Sequence, residues 1–187
     1  MPEDITMSLY KSSALIDELL HYWKDSLGDD FSAYRNHCYR VLNFCITLHG
    51  ADEDDETIEK VAIAAAFHDL GIWVRGTFDY LAPSRALARA FLAEREREDW
   101  IPEIEAMIEQ HHKVRRYSDR HDSLVEAFRK ADWTDVSLGI RRFGLSRQFY
   151  RQVCEAFPNA GFHRKLVGLT VRRFIRHPLS PLPMMRW

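Results

Sequence analysis

Apolar residues recur at intervals of three and four positions along almost the whole chain, and no stretch alternates apolar and polar residues as a half-buried strand does. This spacing collects the apolar side chains on one face of a helix, so the chain is predicted to be all-α. Helices are predicted near residues 8–27, 31–49, 55–70, 83–98, 101–113, 121–138, 146–156 and 162–176.

Loops are predicted where glycine, proline and charged residues interrupt this spacing, at 28–30, 50–55, 71–83 and 113–122. The final segment, HPLSPLPMMRW, contains three prolines, which cannot continue a helix, so we expect it to lie extended on the surface. A chain of 187 residues favours one domain. We expect a single helical bundle, with a motif core near 31–140 and a C-terminal helix and tail at 146–187.

The composition is that of an ordinary globular domain, with 46% hydrophobic and 29% charged residues. The net charge of −2 gives no general attraction to nucleic acids or membranes, and we expect neither as a partner. Cys38, Cys45 and Cys154 have no CxxC spacing, which argues against a disulfide framework or a thiolate zinc site. The first residues lack the apolar core of a signal peptide, so a cytoplasmic location is predicted.

The predicted helix at 55–70 ends in AIAAAFHDLG, which places two polar residues after a buried run. Its apolar arc consists of Ile58, Val61, Ala62, Ala65 and Ala66. Asp69 falls near the middle of this arc and His68 at its edge. A buried carboxylate needs a partner, because an unpaired charge is costly in the core. The alternative is a carboxylate exposed at a frayed helix end, beside a histidine that is satisfied in the core.

Two other helices also direct polar side chains inward. His37 lies on the flank of the apolar stripe of the helix at 31–49. Asp132 and Asp135 both lie on the apolar stripe of the helix at 121–138, where a solvated surface charge is not expected.

These helices together supply two imidazoles and two carboxylates, from His37, His68, Asp69 and Asp132. That donor set suits one divalent transition metal such as Mn, Fe, Co, Ni or Zn. The ion would supply the positive charge that buried carboxylates require. It would also acidify a bound water into a nucleophile near neutral pH.

The order H…HD…D, carried by NHCYRV around His37, FHDLG around His68 and RKADWTDVSLG around Asp132, resembles the HD-domain superfamily of metal-dependent phosphohydrolases. The resemblance covers approximately residues 31–140. It implies an all-α fold with a metal held between helices, and hydrolysis of phosphoesters as the commonest activity. It also implies a ligand set of His37, His68, Asp69 and Asp132.

Some members of this superfamily hold a second metal through extra histidines after the HD pair and near a later HH. Residues 71–92 of this chain contain no histidine, so we expect one metal. Some nucleotidases of the superfamily also carry a glutamate four residues after the motif histidine, and this chain has Ile72 there.

Three residues are candidates for catalysis. In IEQHHKVRR, His111 or His112 could face the metal cavity as a proton shuttle or phosphate donor, and which of them does so is left open. Alternatively, both are cationic side chains favoured at a helix C-terminus. Asp79, in the loop that begins at the HD pair, could protonate a leaving oxygen or could be a turn carboxylate.

Three cations are candidates for substrate binding. Arg40 follows His37 by three residues on the same side of its helix, and Lys113 and Arg116 follow the histidine pair. Such donors suit an anionic phosphate, although a basic loop is more often simply solvated. The loop at 71–83 also carries aromatic residues that either floor a pocket or pin the loop to the core, namely Trp73, Phe78 and Tyr80.

The predicted C-terminal helix has an apolar face surrounded by basic residues. That face consists of Leu166, Val167, Thr170, Val171 and Phe174. A basic amphipathic helix can bind a membrane surface, but a terminal helix packed on the core is the preferred interpretation.

The sequence favours a metal-dependent hydrolase that acts on a small phosphorylated substrate through a metal-activated water. One alternative is an HD-type hydratase, lyase or oxygenase acting on a small non-phosphate substrate. Another is a metal-stabilised binding module without turnover. The apolar, proline-rich tail at 178–187 could pack on a neighbouring subunit, which would be consistent with a homodimer.

Overall fold

The computed structural model describes residues 9–50, 54–77 and 79–176. Within these ranges the chain forms helices and loops and no strand, which confirms the all-α prediction. The helices are α1 (Ala14–Tyr22), α2 (Lys24–Leu27), α3 (Phe31–His49), α4 (Asp55–Phe67), α5 (Gly71–Arg75), α6 (Leu81–Glu94), α7 (Ile101–Gln110), α8 (Asp122–Val136), α9 (Arg147–Ala156) and α10 (Phe162–Arg176). Short 3-10 turns precede α3 at Gly28–Asp30 and α7 at Glu98–Trp100.

Side-chain caps fix several helix starts. The Ser13 side chain accepts a hydrogen bond from the backbone N–H of Ile16 at the start of α1. Asp54 does the same for the N–H of Thr57 in α4. Each cap satisfies a donor that the first helical turn leaves without an intrahelical partner. The segment predicted as one helix at 8–27 forms two helices, α1 and α2, and the Ser13 cap explains why α1 begins at Ala14.

Helix α3 is the centre of the domain, because it packs along α8 and α4 and is buried on nearly every side. Helix α7 lies against α4, α6 and α8, and α9 and α10 pack on α3 from the C-terminal side. The core is rich in aromatic side chains that are almost fully buried, among them Tyr34, Phe44, Phe67, Phe128 and Phe162. Inward-facing polar residues of α3, α4 and α8 are thereby brought to one interior region.

The structure differs from the prediction in the loop at 71–83. Residues Gly71–Arg75 form the short helix α5, and α6 begins at Leu81 rather than at 83. A Cβ on Gly71 would lie 2.7 Å from the carbonyl oxygen of Tyr80. Glycine is therefore required for the loop to return closely over the turn that carries His68 and Asp69.

Helix α10 packs with a different face from the predicted one. Val167, Val171 and Phe174, predicted to lie on the packed face, are 63%, 52% and 56% exposed. The packed face is rotated from the predicted one: it includes the buried Phe162 and the half-buried Leu166 and Thr170, of which the last two were predicted to pack. The predicted extended tail lies outside the described residues. No helix in the described ranges has the length and apolar character needed to cross a membrane.

Candidate metal centre

The four predicted ligands meet in the core, although they come from three separate parts of the chain. His37 lies on α3, His68 and Asp69 form the turn after α4, and Asp132 lies on α8. All four side chains are almost fully buried. His37 Nε2 is 2.9 Å from His68 Nε2, 3.6 Å from Asp132 Oδ1 and 3.9 Å from Asp69 Oδ2.

A buried tyrosine holds the turn in place. Tyr34 on α3 donates its hydroxyl proton to the carbonyl oxygen of Ala66 at 3.0 Å and accepts the backbone N–H of Asp69 at 3.2 Å. Both ends of the turn that breaks α4 are thus bonded to α3. This pairing directs His68 and Asp69 toward His37 rather than continuing the helix past them.

Three histidines have a ring orientation that the hydrogen bonds fix. His68 Nδ1 lies 2.8 Å from the carbonyl oxygen of Ala65, and His111 Nδ1 lies 2.7 Å from that of Ile108. A carbonyl only accepts, so both Nδ1 atoms carry the proton. His37 Nδ1 likewise faces the carboxylate of Asp135 at 2.6 Å. In the neutral rings, all three Nε2 atoms therefore present a lone pair to the interior.

Burial keeps two of these rings neutral. Burial lowers the pKa of His68 to about 3, and the neighbouring rings of His37 and His111 act in the same direction. Burial also lowers the pKa of His37, against the opposing effect of Asp135. Two neutral rings whose Nε2 lone pairs face each other at 2.9 Å repel unless a proton or a metal ion lies between them.

Carboxylate oxygens of Asp69 and Asp132 also lack hydrogen-bond partners among the described residues. Asp69 Oδ1, both carboxylate oxygens of Asp132 and His111 Nε2 are buried and make no hydrogen bond within the described part of the chain. Burial, with the charge of Asp69 nearby, raises the pKa of Asp132 to about 8. Burial alone would also raise the pKa of Asp69, but the imidazoles of His68 and His111 lower it well below the usual range.

Unpartnered imidazole nitrogens and carboxylate oxygens that point at one another are the donor set of a divalent metal site. A cation at their centre would accept the lone pairs and neutralise the carboxylates, whose salt-bridge partners in the described residues are histidines alone. Two groups of three residues, drawn from the buried His37, His68, Asp69 and His111 and the half-buried His112, could hold such an ion, and the predicted ligand Asp132 belongs to neither group.

Both candidate histidines, which directly follow α7, reach the cluster. His111 Nε2 lies 3.4 Å from Asp69 Oδ1, and His112 Nδ1 lies 3.6 Å from Asp132 Oδ2. His112 is the more accessible, with 15% of its side chain exposed. The set of His37, His68 and Asp69 and the set of Asp69, His111 and His112 share one carboxylate, and each has the geometry to bind an ion.

The predicted catalytic residue Asp79 does not lie at the cluster, whereas its neighbour Tyr80 does. Asp79 is exposed in the loop before α6, where its backbone N–H donates to the Thr77 hydroxyl. Tyr80 is buried, and its hydroxyl lies 2.6 Å from His112 Nε2. Asp79 thus faces solvent and Tyr80 faces the interior, so the phenol rather than the carboxylate approaches the cluster.

Arg40 is not placed where a substrate could reach it. The side chain is 1% exposed, and Nε and Nη2 donate to the two carboxylate oxygens of Asp135 at 2.6 and 2.8 Å. Nη1 donates to the carbonyl oxygen of Phe157 at 2.9 Å. The predicted substrate-binding role is therefore corrected: Arg40 anchors Asp135, which in turn holds His37.

Lys113 and Arg116 lie in the segment that follows α7. Lys113 is half-buried, with its ammonium 5.5 Å from the centre of the Tyr117 ring, and Arg116 is exposed. The Lys113 ammonium is thus directed to Tyr117, and the predicted substrate-binding roles of Lys113 and Arg116 stay predictions.

Sequence reasoning missed the roles of Tyr80, Asp135 and Phe162. Asp135 lies on the same inward stripe as Asp132, so the pattern indicated its burial but not its partner. Tyr80 belongs to the aromatic loop that was predicted to floor a pocket or pin the loop to the core. Phe162, whose ring stacks on that of His37, is more than a hundred residues away from it, and no local pattern indicates this contact.

Comparisons of the chain with models of known protein families, with curated proteins and with solved structures find no match. The functional argument therefore rests on the motifs and on the geometry of the cluster.

Proposed function

We propose that the protein is an HD-type, metal-dependent hydrolase that acts on a small phosphorylated substrate. The observation that carries the proposal is the inward convergence of the Nε2 atoms of His37, His68 and His111 on the carboxylates of Asp69 and Asp132. A protein core does not retain such a set without a ligand, since each unpartnered polar atom costs about 1–3 kcal/mol.

The chain's own residues divide into three roles. His37, His68, Asp69 and Asp132 would hold the ion. A bound divalent ion supplies a Lewis acid that polarises a phosphoryl oxygen and brings the pKa of a bound water near 7. His112, at the accessible edge, is placed to move a proton between the cluster and solvent. Burial raises the pKa of Tyr80 well above its usual value, so its hydroxyl remains a hydrogen-bond donor at neutral pH.

The test begins with the full chain purified without added metal and analysed for its elements. The protein is then screened against phosphomonoesters and phosphodiesters with Mn²⁺, Co²⁺, Ni²⁺ or Mg²⁺ added back. We expect a divalent transition metal near one equivalent, and turnover of at least one phosphate class that a chelator abolishes. Tight iron without activity on any phosphate would contradict the hydrolase and favour an oxygenase or lyase.

One observation favours a second candidate, a metal-stabilised binding module without turnover. The predicted ligands are almost fully buried, and structural metal sites are typically closed, whereas catalytic sites keep an open position. For such a module the metal would raise the melting temperature, no substrate would react, and water exchange at the ion would be slow.

A further inference from the structure

Contacts to His37 extend well beyond the motif core. The ring of Phe162, at the start of α10, stacks on the imidazole of His37 with centroids 4.0 Å apart and planes 17° apart. Phe162 is fully buried. Its ring therefore covers one face of the imidazole and restricts rotation about the bond that joins the ring to Cβ.

The connection between α9 and α10 is also bonded to the helix that carries His37. Arg40 Nη1 donates to the carbonyl oxygens of Phe157 and Pro158 at 2.9 and 3.3 Å. Asn36 Nδ2 donates to the carbonyl oxygen of Pro158 at 2.7 Å. These donors lie one residue before and three residues after His37, so they fix the segment on both sides of it.

Asp135 joins the two sets of contacts. Its carboxylate accepts from Arg40 and faces His37 Nδ1, and its backbone carbonyl lies 2.9 Å from His163 Nε2. Because a carbonyl only accepts, His163 is the donor. Residues 157–163, here called the C-terminal clamp, thus contact His37 both directly and through Asp135.

We propose that the C-terminal clamp positions His37 as a metal ligand, so that the metal centre is completed by a segment outside the motif core. This inference rests on the proposed function, since it presumes that His37 binds an ion. Phe162 fixes the plane of the ring, and Asp135 fixes its tautomer. Both are needed because a ligand that rotates away from the cluster loses the alignment of its lone pair with the ion.

The test compares Phe162→Leu with a matched control, Phe149→Leu, in the full chain. Phe149 is also a buried phenylalanine of the C-terminal helices, but it packs edge-on against Phe44 instead of His37. Both variants lose an aromatic ring from the core, so their losses of thermal stability should be similar. Apo-protein is titrated with Co²⁺, whose visible absorption reports its coordination geometry, in competition with a chelator.

We expect Phe162→Leu to bind Co²⁺ about tenfold more weakly with a changed absorption spectrum, because partners that orient a ligand typically contribute 10–100-fold in metal affinity. Phe149→Leu should retain the affinity and spectrum of the wild type. If Phe162→Leu does not fold, His163→Ala, which removes a half-buried donor to the backbone carbonyl of Asp135, should weaken Co²⁺ binding by about tenfold with the same spectral change.

Unchanged Co²⁺ affinity and spectrum in Phe162→Leu would overturn the inference while leaving the metal centre intact. Equal weakening in Phe162→Leu and Phe149→Leu would also overturn it, because the effect would then be general loss of packing. Failure of the wild type to bind Co²⁺ or any other transition metal would overturn the proposed function and the inference together.

Discussion

Two buried groups of ionisable residues lie on α8. The first is hydrogen-bonded within the described part of the protein, and the second is not. In the first group, Glu126 Oε2 accepts from Arg129 Nε at 2.7 Å and from the backbone N–H of Tyr117 at 2.9 Å. Glu126 Oε1 accepts from Arg129 Nη2 at 2.7 Å. In the second, one turn further along, both oxygens of Asp132 lack any hydrogen bond within the described residues.

The difference separates a structural charge pair from a ligand-binding one. Glu126, Arg129 and Asp132 follow one another at intervals of three residues along α8, and all three are buried. Glu126 and Asp132 nevertheless lie on different sides of the helix, about 120° apart. What differs is the partner. The guanidinium of Arg129 donates to Glu126, whereas the neighbours of the Asp132 carboxylate are the imidazoles of His37, His68 and His112, at 3.6, 3.8 and 3.6 Å. Buried charge alone is therefore weak support for a functional site, whereas buried charge without a partner is strong support.

The largest expected effect is loss of metal from the unsatisfied group. His68→Ala and Asp69→Ala each remove a donor from the cluster, and a site built from few protein ligands does not tolerate this. We expect elemental analysis to show metal falling from near one equivalent to background in both variants. Glu126→Gln is the matched control on the satisfied group and should retain its metal. Stoichiometric metal in both alanine variants would refute the site.

A smaller effect, on folding stability, is expected when the hydrogen-bonded pair of Glu126 and Arg129 is broken. Glu126→Gln leaves the buried guanidinium of Arg129 without its counter-charge, which should lower the free energy of unfolding by about 2 kcal/mol, the scale of a charge-assisted hydrogen bond. Urea denaturation of metal-free protein measures this value.

The opposite sign is expected for the control, Asp132→Asn, in the same metal-free measurement. Burial raises the pKa of Asp132 to about 8, so folding of metal-free protein near pH 7 requires this carboxyl to take up a proton. Asp132→Asn removes that requirement, so stability should be unchanged or higher by about 1 kcal/mol. Equal destabilisation by Glu126→Gln and Asp132→Asn would mean that the two groups do not differ as described.

Features of the site that depend on local spacing could be predicted from the sequence, whereas those that depend on distant contacts could not. Apolar spacing predicted the helices and the inward direction of His37, Asp69 and Asp132, because both follow from a local period. The stacking of Phe162 on His37 and the pairing of Arg40 with Asp135 depend on contacts between residues about a hundred positions apart. The direction of Tyr80 rather than Asp79 toward the cluster depends on irregular backbone, for which no periodic pattern exists.

The smallest expected effect is a pH dependence of the stability that the Glu126–Arg129 pair contributes. Burial would raise the pKa of Glu126, but the Arg129 guanidinium and the Tyr117 N–H overcome this and lower it. A carboxylate with a lowered folded-state pKa stabilises the protein fully above its unfolded value, near 4.3, and this contribution is lost as the pH falls through the folded value. The stability difference between wild type and Glu126→Gln should therefore be constant from pH 7 to about 5 and narrow below about 4.5, by less than about 1.4 kcal/mol per pH unit. Urea denaturation at several pH values measures it, and a difference that widens in acid would show that Arg129 does not hold Glu126 ionised.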